Sequence, residues 1–148
     1  MANYVIYTRK NGDELKLRIT AERAVEFEER AGASLLAKIA EIDKVAVAAD
    51  YIAAALPGIE YKDRRKTALG IYDEMTEDGE GMQEYTFLVF DVMVASGFLK
   101  SNAVETQKKA YIRAQEVEAA KAAALLEAAE KTLESITEKI SDTTASQN

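Results

Sequence analysis

The stretch Met82 to Leu99, MQEYTFLVFDVMVASGFL, constrains this chain most, because it is apolar almost all the way round a helix. Met82, Tyr85, Val89, Val92, Met93 and Ser96 recur at helical spacing along one face, and Phe87, Phe90 and Val94 fall on a second with Leu88 between them. Glu84 and Asp91 are its only charges. A helix of this kind needs neighbours on several sides, so it predicts the centre of a core, with Phe90, Leu88, Val89 and Val92 buried. Gly97 is placed to take the left-handed conformation that ends a helix, and Phe98 to fold back on the last turn as in a Schellman cap. The run is shorter than the ~20 residues of a membrane span, so no membrane partner is expected.

Upstream, Tyr4 to Thr8 and Glu14 to Ile19 are rich in β-formers, and Leu15, Leu17 and Ile19 alternate with Lys16 and Arg18. That alternation predicts strands with one buried face. Asn11-Gly12 between them is a strong hairpin signal, since both residues tolerate positive φ. An isolated hairpin is marginal, so this one must lie on the helices or pair with another chain. Thr20 is a good N-cap for a helix carrying Ala24, Val25, Phe27 and Ala31, which Gly32 ends. A second helix is expected from Ser34 through Leu35, Leu36, Ile39 and Ile42, and a third, rich in small residues, from Val45 to Leu56. Pro57-Gly58 breaks the third. A fourth, capped by Asp63, carries Leu69, Tyr72 and Met75, with Gly70 weakening it. A loop from Asp78 to Gly81 leads into the central helix.

Beyond Lys100 the composition changes. Residues 103 to 140 hold no Gly or Pro and are dominated by Ala, Glu and Lys. Ile112, Ala119, Leu126, Leu133 and Ile140 repeat at heptad spacing, with Ala122, Ala129 and Ile136 three further along. This is a narrow coiled-coil stripe, weak at its start where Gln115 falls on it. It strengthens away from the core, so Ile112, Leu126, Leu133, Ile136 and Ile140 are candidate partner-binding residues. The expected organisation is mainly α: a hairpin plus helical core around a central apolar helix over 1–100, an extended C-terminal helix over 101–140, and a flexible polar tail over 141–148.

The composition limits the chemistry. Among 148 residues there is no cysteine and no histidine, which removes disulfides, the usual zinc sites and the commonest general base. The formal charge is −7, from 26 acids against 19 bases, which disfavours non-specific grip on nucleic acid. No export signal is read at the start. Asp73, Glu74, Glu77, Asp78, Glu80 and Glu84 crowd together, but neither calcium-loop register fits: one puts Met75 and Asp78 at the third and sixth positions, the other Tyr85 at the twelfth. A solvated helix end is the favoured reading. Lys62, Arg64, Arg65 and Lys66 form the one basic cluster, near a helix start where the dipole disfavours it. It reads as a solvated face, with a grip on an acidic partner or RNA as the alternative. No nucleophile–base pair can be assembled, so no catalytic residue and no cofactor or metal site is expected.

Taken in order, several pieces resemble the tail assembly chaperones of long-tailed bacteriophages of Gram-positive hosts. They are the hairpin ending in Leu15-Lys-Leu-Arg-Ile-Thr20, Glu28-Glu-Arg-Ala-Gly32-Ala-Ser-Leu-Leu36, Tyr72-Asp-Glu-Met75 and Asp78-Gly79. Met82-Gln-Glu follows, and then the closure Ala95-Ser-Gly-Phe-Leu-Lys100. The likeness covers about residues 1 to 100. The alanine-rich third helix and the basic cluster depart from the family's pattern, and the long C-terminal helix lies outside the match.

The resemblance implies a non-enzymatic protein. Such chaperones coat the apolar tape measure protein and keep it soluble until tail tube subunits polymerise around it. They work in the cytoplasm of the infected host and are absent from the mature virion. In relatives a frameshifted longer form recruits tail tube protein, so that protein is a second implied partner, and a homo-oligomer is a third form the chain could take. The competing expectation is a permanent structural or adaptor subunit of the particle, and a remote third is a carboxylate-dependent enzyme.

Overall fold

The computed structural model describes residues 3–79 and 81–146. Among them the chain is mainly helical, with an N-terminal antiparallel hairpin and a long C-terminal helix, which is the fold class expected. It divides into two compact units, Met1–Glu105 and Thr106–Asn148.

Strands β1 (Val5–Thr8) and β2 (Glu14–Leu17) pair with Val5 opposite Leu17 and Thr8 opposite Glu14. The turn differs from the two-residue form that Asn11-Gly12 predicts. The Gly12 N–H donates to the Arg9 carbonyl and the Arg9 N–H to the Asp13 carbonyl, so the loop holds three residues. Only Gly12 has positive φ, at +92°. Asn11 instead accepts the Asp13 N–H on its side-chain oxygen, which fixes it in an Asx turn and leaves the left-handed position to glycine alone.

Thr20 caps α1 (Ala21–Ala31) by accepting the Arg23 N–H on its hydroxyl. Ala24 and Phe27 are buried, but Val25, expected on the same face, is exposed. The second expected α-helix is a 3-10 segment, Ala37–Glu41. The reason is a competition for one acceptor. The buried Tyr51 phenol donates to the Leu35 carbonyl, and the Ile39 N–H bonds to Leu36 one residue later. Leu35 and Ile42 still reach the core.

Helix α2 (Val45–Ala55) is buried from Val47 to Leu56 except at Asp50, and it packs on α1, on α3 (Tyr61–Glu77) and on α4 (Gly81–Ala95). It shares the central place expected for α4 alone. Small side chains are why: a helix lined with alanine lets three neighbours approach closely. On α3 the buried residues are Arg64, Ala68, Ile71 and Met75, while Leu69 and Tyr72 are only partly buried. Met75 is buried as expected, but the row leading to it runs through Ala68 and Ile71, one position before Leu69 and Tyr72. Asp63 sits in the first turn, and Glu60 occupies the cap position.

Helix α4 buries Tyr85, Thr86, Leu88, Val89, Phe90, Val92 and Met93. Its end is a complete Schellman motif, with Phe98 N–H donating to Met93 O at 2.9 Å and Gly97 N–H to Val94 O at 3.0 Å. Gly97 has φ +85°, a conformation that a side chain with a Cβ resists. Just before it, the Ser96 hydroxyl accepts the Ile19 N–H at 2.8 Å, joining the hairpin's exit to the helix end. Helix α5 (Ser101–Ser146) begins after this turn, and its Val104 is buried. Its helical backbone continues from 141 to 146, where a polar tail was expected, and residues 147–148 lie outside the described residues.

Candidate functional site

Three places carry the candidate residues. The first is the basic cluster at the start of α3, which the structure splits. Arg64 is buried, donating from Nη1 to the Ala53 carbonyl at 2.8 Å and from Nη2 to Glu26 at 2.5 Å. Ala53 lies in the last turn of α2, where carbonyls lack helical partners. The Arg18 backbone N–H takes another of these carbonyls, Ala55 O, at 3.1 Å. The guanidinium that seemed misplaced at the start of α3 thus faces the negative end of α2, where a cation is favoured. Arg65 donates to Asp50 at 3.1 Å. Arg64 thus ties α3 to α2 and Arg65 lies partly buried against Asp50, whereas Lys62 and Lys66 are exposed, the solvated face expected of the whole cluster.

Arg65 and Asp50 also line a cleft of about 350 Å³ with Glu26, Phe27, Arg30, Ala31, Ala54 and Tyr61. Its polar groups answer one another. Asp50 accepts the Tyr61 phenol at 2.7 Å, and the Arg30 guanidinium lies 3.6 Å over the Tyr61 ring. Burial, then the bond to Asp50, push the Tyr61 phenol up.

The second place is the acidic end of α3, which anchors the hairpin. Glu74 accepts the Tyr7 phenol at 3.0 Å and Arg9 Nε at 3.1 Å, and Lys10 lies 2.5 Å from Glu77 and 3.5 Å from Asp78. Burial and the neighbouring Glu74 carboxylate push the Tyr7 phenol up to about 12. Arg9 crosses above Gly70, its Nη2 2.9 Å from where a Cβ would stand, so the glycine expected to weaken α3 makes room for this contact. Among the described residues no group of acids could hold a metal ion; Glu80, part of the acidic run, lies outside them.

The third is α5. Every residue from Ile112 to Asp142 is exposed. Leu126 keeps 66 % of its surface and Leu133 64 %, and Ile112, Ile136 and Ile140 are exposed as well. The backbone is one unbroken helix, so heptad positions fall on one side of it. Leu125, 72 % exposed, widens the stripe beside Leu126. A count in sevens from Ile112 passes over it, although two adjacent leucines in an alanine-rich helix were a visible signal. The remaining singled-out residues, Asn11, Gly12, Phe90, Gly97 and Phe98, serve the turn, the core and the cap described above.

Among the described residues no helix is long and apolar enough to cross a membrane. Comparison of the chain with family models, with curated proteins and with solved structures returns no match.

Proposed function

We propose that this protein is a non-enzymatic tail assembly chaperone of a long-tailed bacteriophage, which binds the tape measure protein and keeps it soluble until tail tube subunits polymerise. The observation that carries the reading is the exposed apolar stripe of α5. Leucines and isoleucines in water gain nothing there, whereas each would contribute roughly 1.5–3 kcal/mol on burial against another chain. An amphipathic helix recognises a helical client by laying such a stripe along the client's own. The order of motifs over residues 1 to 100 supports the same reading. In it the protein works in the host cytoplasm without a cofactor, leaves before the virion is complete, and meets tail tube protein through a longer frameshifted form.

The test is co-expression with a phage tape measure protein, which on this reading should be encoded just after it. Replacing Leu126, Leu133 and Ile140 together by Ser should leave the client insoluble, where the parent keeps it in solution and co-purifies with it. A client that stays soluble and bound to the triple variant would overturn the reading. Mass spectrometry of purified virions separates it from a permanent particle subunit: a chaperone is absent or far below tail stoichiometry, a subunit is present at it.

A further inference from the structure

The pattern of side chains along α5 specifies a partner more closely than "a helix". Taking Ile112, Ala119, Leu126, Leu133 and Ile140 as the first core row and Gln115, Ala122, Ala129 and Ile136 as the second, the rows alternate small and large at their centre, through Ala122, Leu126, Ala129 and Leu133. A parallel pair of such helices would stack leucine on leucine, then alanine on alanine. The helices would have to be far apart and close together in successive layers, and close packing cannot satisfy both. Reversing one helix removes the conflict. In one antiparallel register Leu126 faces the partner's Ala129, Leu133 faces the partner's Ala122, and Ile136 faces the partner's Ala119. The same three contacts recur across the two-fold axis, so the six central layers are large against small, and beyond them Ile140 faces the partner's Gln115.

Charge selects the same register. Glu118 and Lys139 flank the stripe at equivalent positions, and this arrangement sets each beside the other across the interface, twice. Sliding one helix by a heptad in one direction puts Glu130 against its own copy. Sliding in the other direction puts Glu116 against the partner's Glu130. Like charges across a helix pair are disfavoured. The parallel pair brings no opposite charges together: Glu118 would meet alanine there.

We propose that α5 pairs with α5 of a second copy of this chain, antiparallel, with the two-fold axis between Glu127 and Ala128. The occupant is the chain itself because the complementarity, of volume and of charge, is self-complementary, as an isologous two-fold interface requires. Alanine buries little area, so the dimer is weak and reversible. This goes beyond the client reading and does not rest on it: the interface is a property of the protein alone.

The test uses the full chain, whose lack of cysteine allows one spin label per copy at a chosen site. Arg113 and Glu127 lie off the stripe, so labels on R113C and E127C leave it intact. In the proposed dimer the two labels at 127 sit side by side. Those at 113 lie about 40 Å apart along the axis at a rise of ~1.5 Å per residue. Sedimentation should show reversible dimers, and replacing Leu126 and Leu133 by Ser should weaken them on the order of a hundredfold or more. E118K alone should weaken the dimer several-fold, and adding K139E should restore it. A monomer at all concentrations, a short distance at 113, or a long distance at 127 would each overturn the proposal. So would a double charge swap that fails to recover the parent's dimerisation.

Discussion

Helices α2 and α5 are both rich in alanine, and they meet opposite fates. α2 (VAVAADYIAAA) is buried along almost its whole length, while α5 is exposed from Ile112 to Asp142. Alanine favours helix in both, so propensity does not separate them. The difference lies in the partners of what stands between the alanines. In α2 Tyr51 stacks 4.5 Å from Phe27 and its phenol reaches Leu35, while Arg64 and Arg18 take the carbonyls at the buried end. In α5 the intervening residues are Glu and Lys with a narrow line of Leu and Ile, for which residues 112–142 offer no covering surface of their own. An alanine-rich helix becomes core where its neighbours supply bulk and caps; otherwise its apolar seam stays exposed.

That contrast can be broken at several points. The largest effect is expected from Phe90→Ala, which empties a buried site on α4 and should cost about 3–5 kcal/mol in urea melts. A loss below about 1 kcal/mol would mean that α4 does not belong to the core. Next is Arg64→Ala, which strips the end of α2 of a charged donor and should cost about 2–3 kcal/mol. If stability holds, water caps α2 as well as the guanidinium does. A matched pair sharpens the comparison itself. Ala48→Leu should destabilise by about 1–3 kcal/mol through overpacking, because Ala48 is wholly buried. Ala124→Leu, on the exposed face of α5, should change the melt by less than about 0.5 kcal/mol.

The smallest effect is a pH dependence at the hairpin. The folded chain holds the Tyr7 phenolic proton up to about 12, against about 10 in an unfolded chain. The stability linked to it is complete below the unfolded value and lost as pH rises through the folded one. Tyr7→Phe should therefore lose less stability than the parent across that alkaline window. Parallel losses in the two proteins would mean that the phenol does not anchor the hairpin.

Much of this architecture was legible in the sequence. The alternation of Leu15 and Leu17, the cap at Thr20, the break at Pro57-Gly58 and the α4 run all act locally, through periodicity and backbone preference. Features that depend on contacts between distant residues could not be read. Whether Ser34 starts an α-helix depends on a phenol at Tyr51, and whether Arg64 faces water depends on where α2 ends. The candidate surface on α5 was legible as a stripe because heptad spacing is a local property. Leu125 falls outside a count in sevens from Ile112, although the adjacent pair Leu125-Leu126 stands in the sequence itself.

Hydrogen exchange on the dilute full-length chain, alone and with tape measure protein, tests the central claim most directly. That claim is that α2 is held by burial within the chain, while the stripe of α5 waits for another. Amides of residues 47–56 should exchange only through global unfolding, and those of 114–140 orders of magnitude faster through local opening. Adding the client should slow 114–140 and leave 47–56 unchanged. If 114–140 were as protected as α2 in the dilute chain alone, and the client changed nothing, the stripe would already be covered and the account would be wrong.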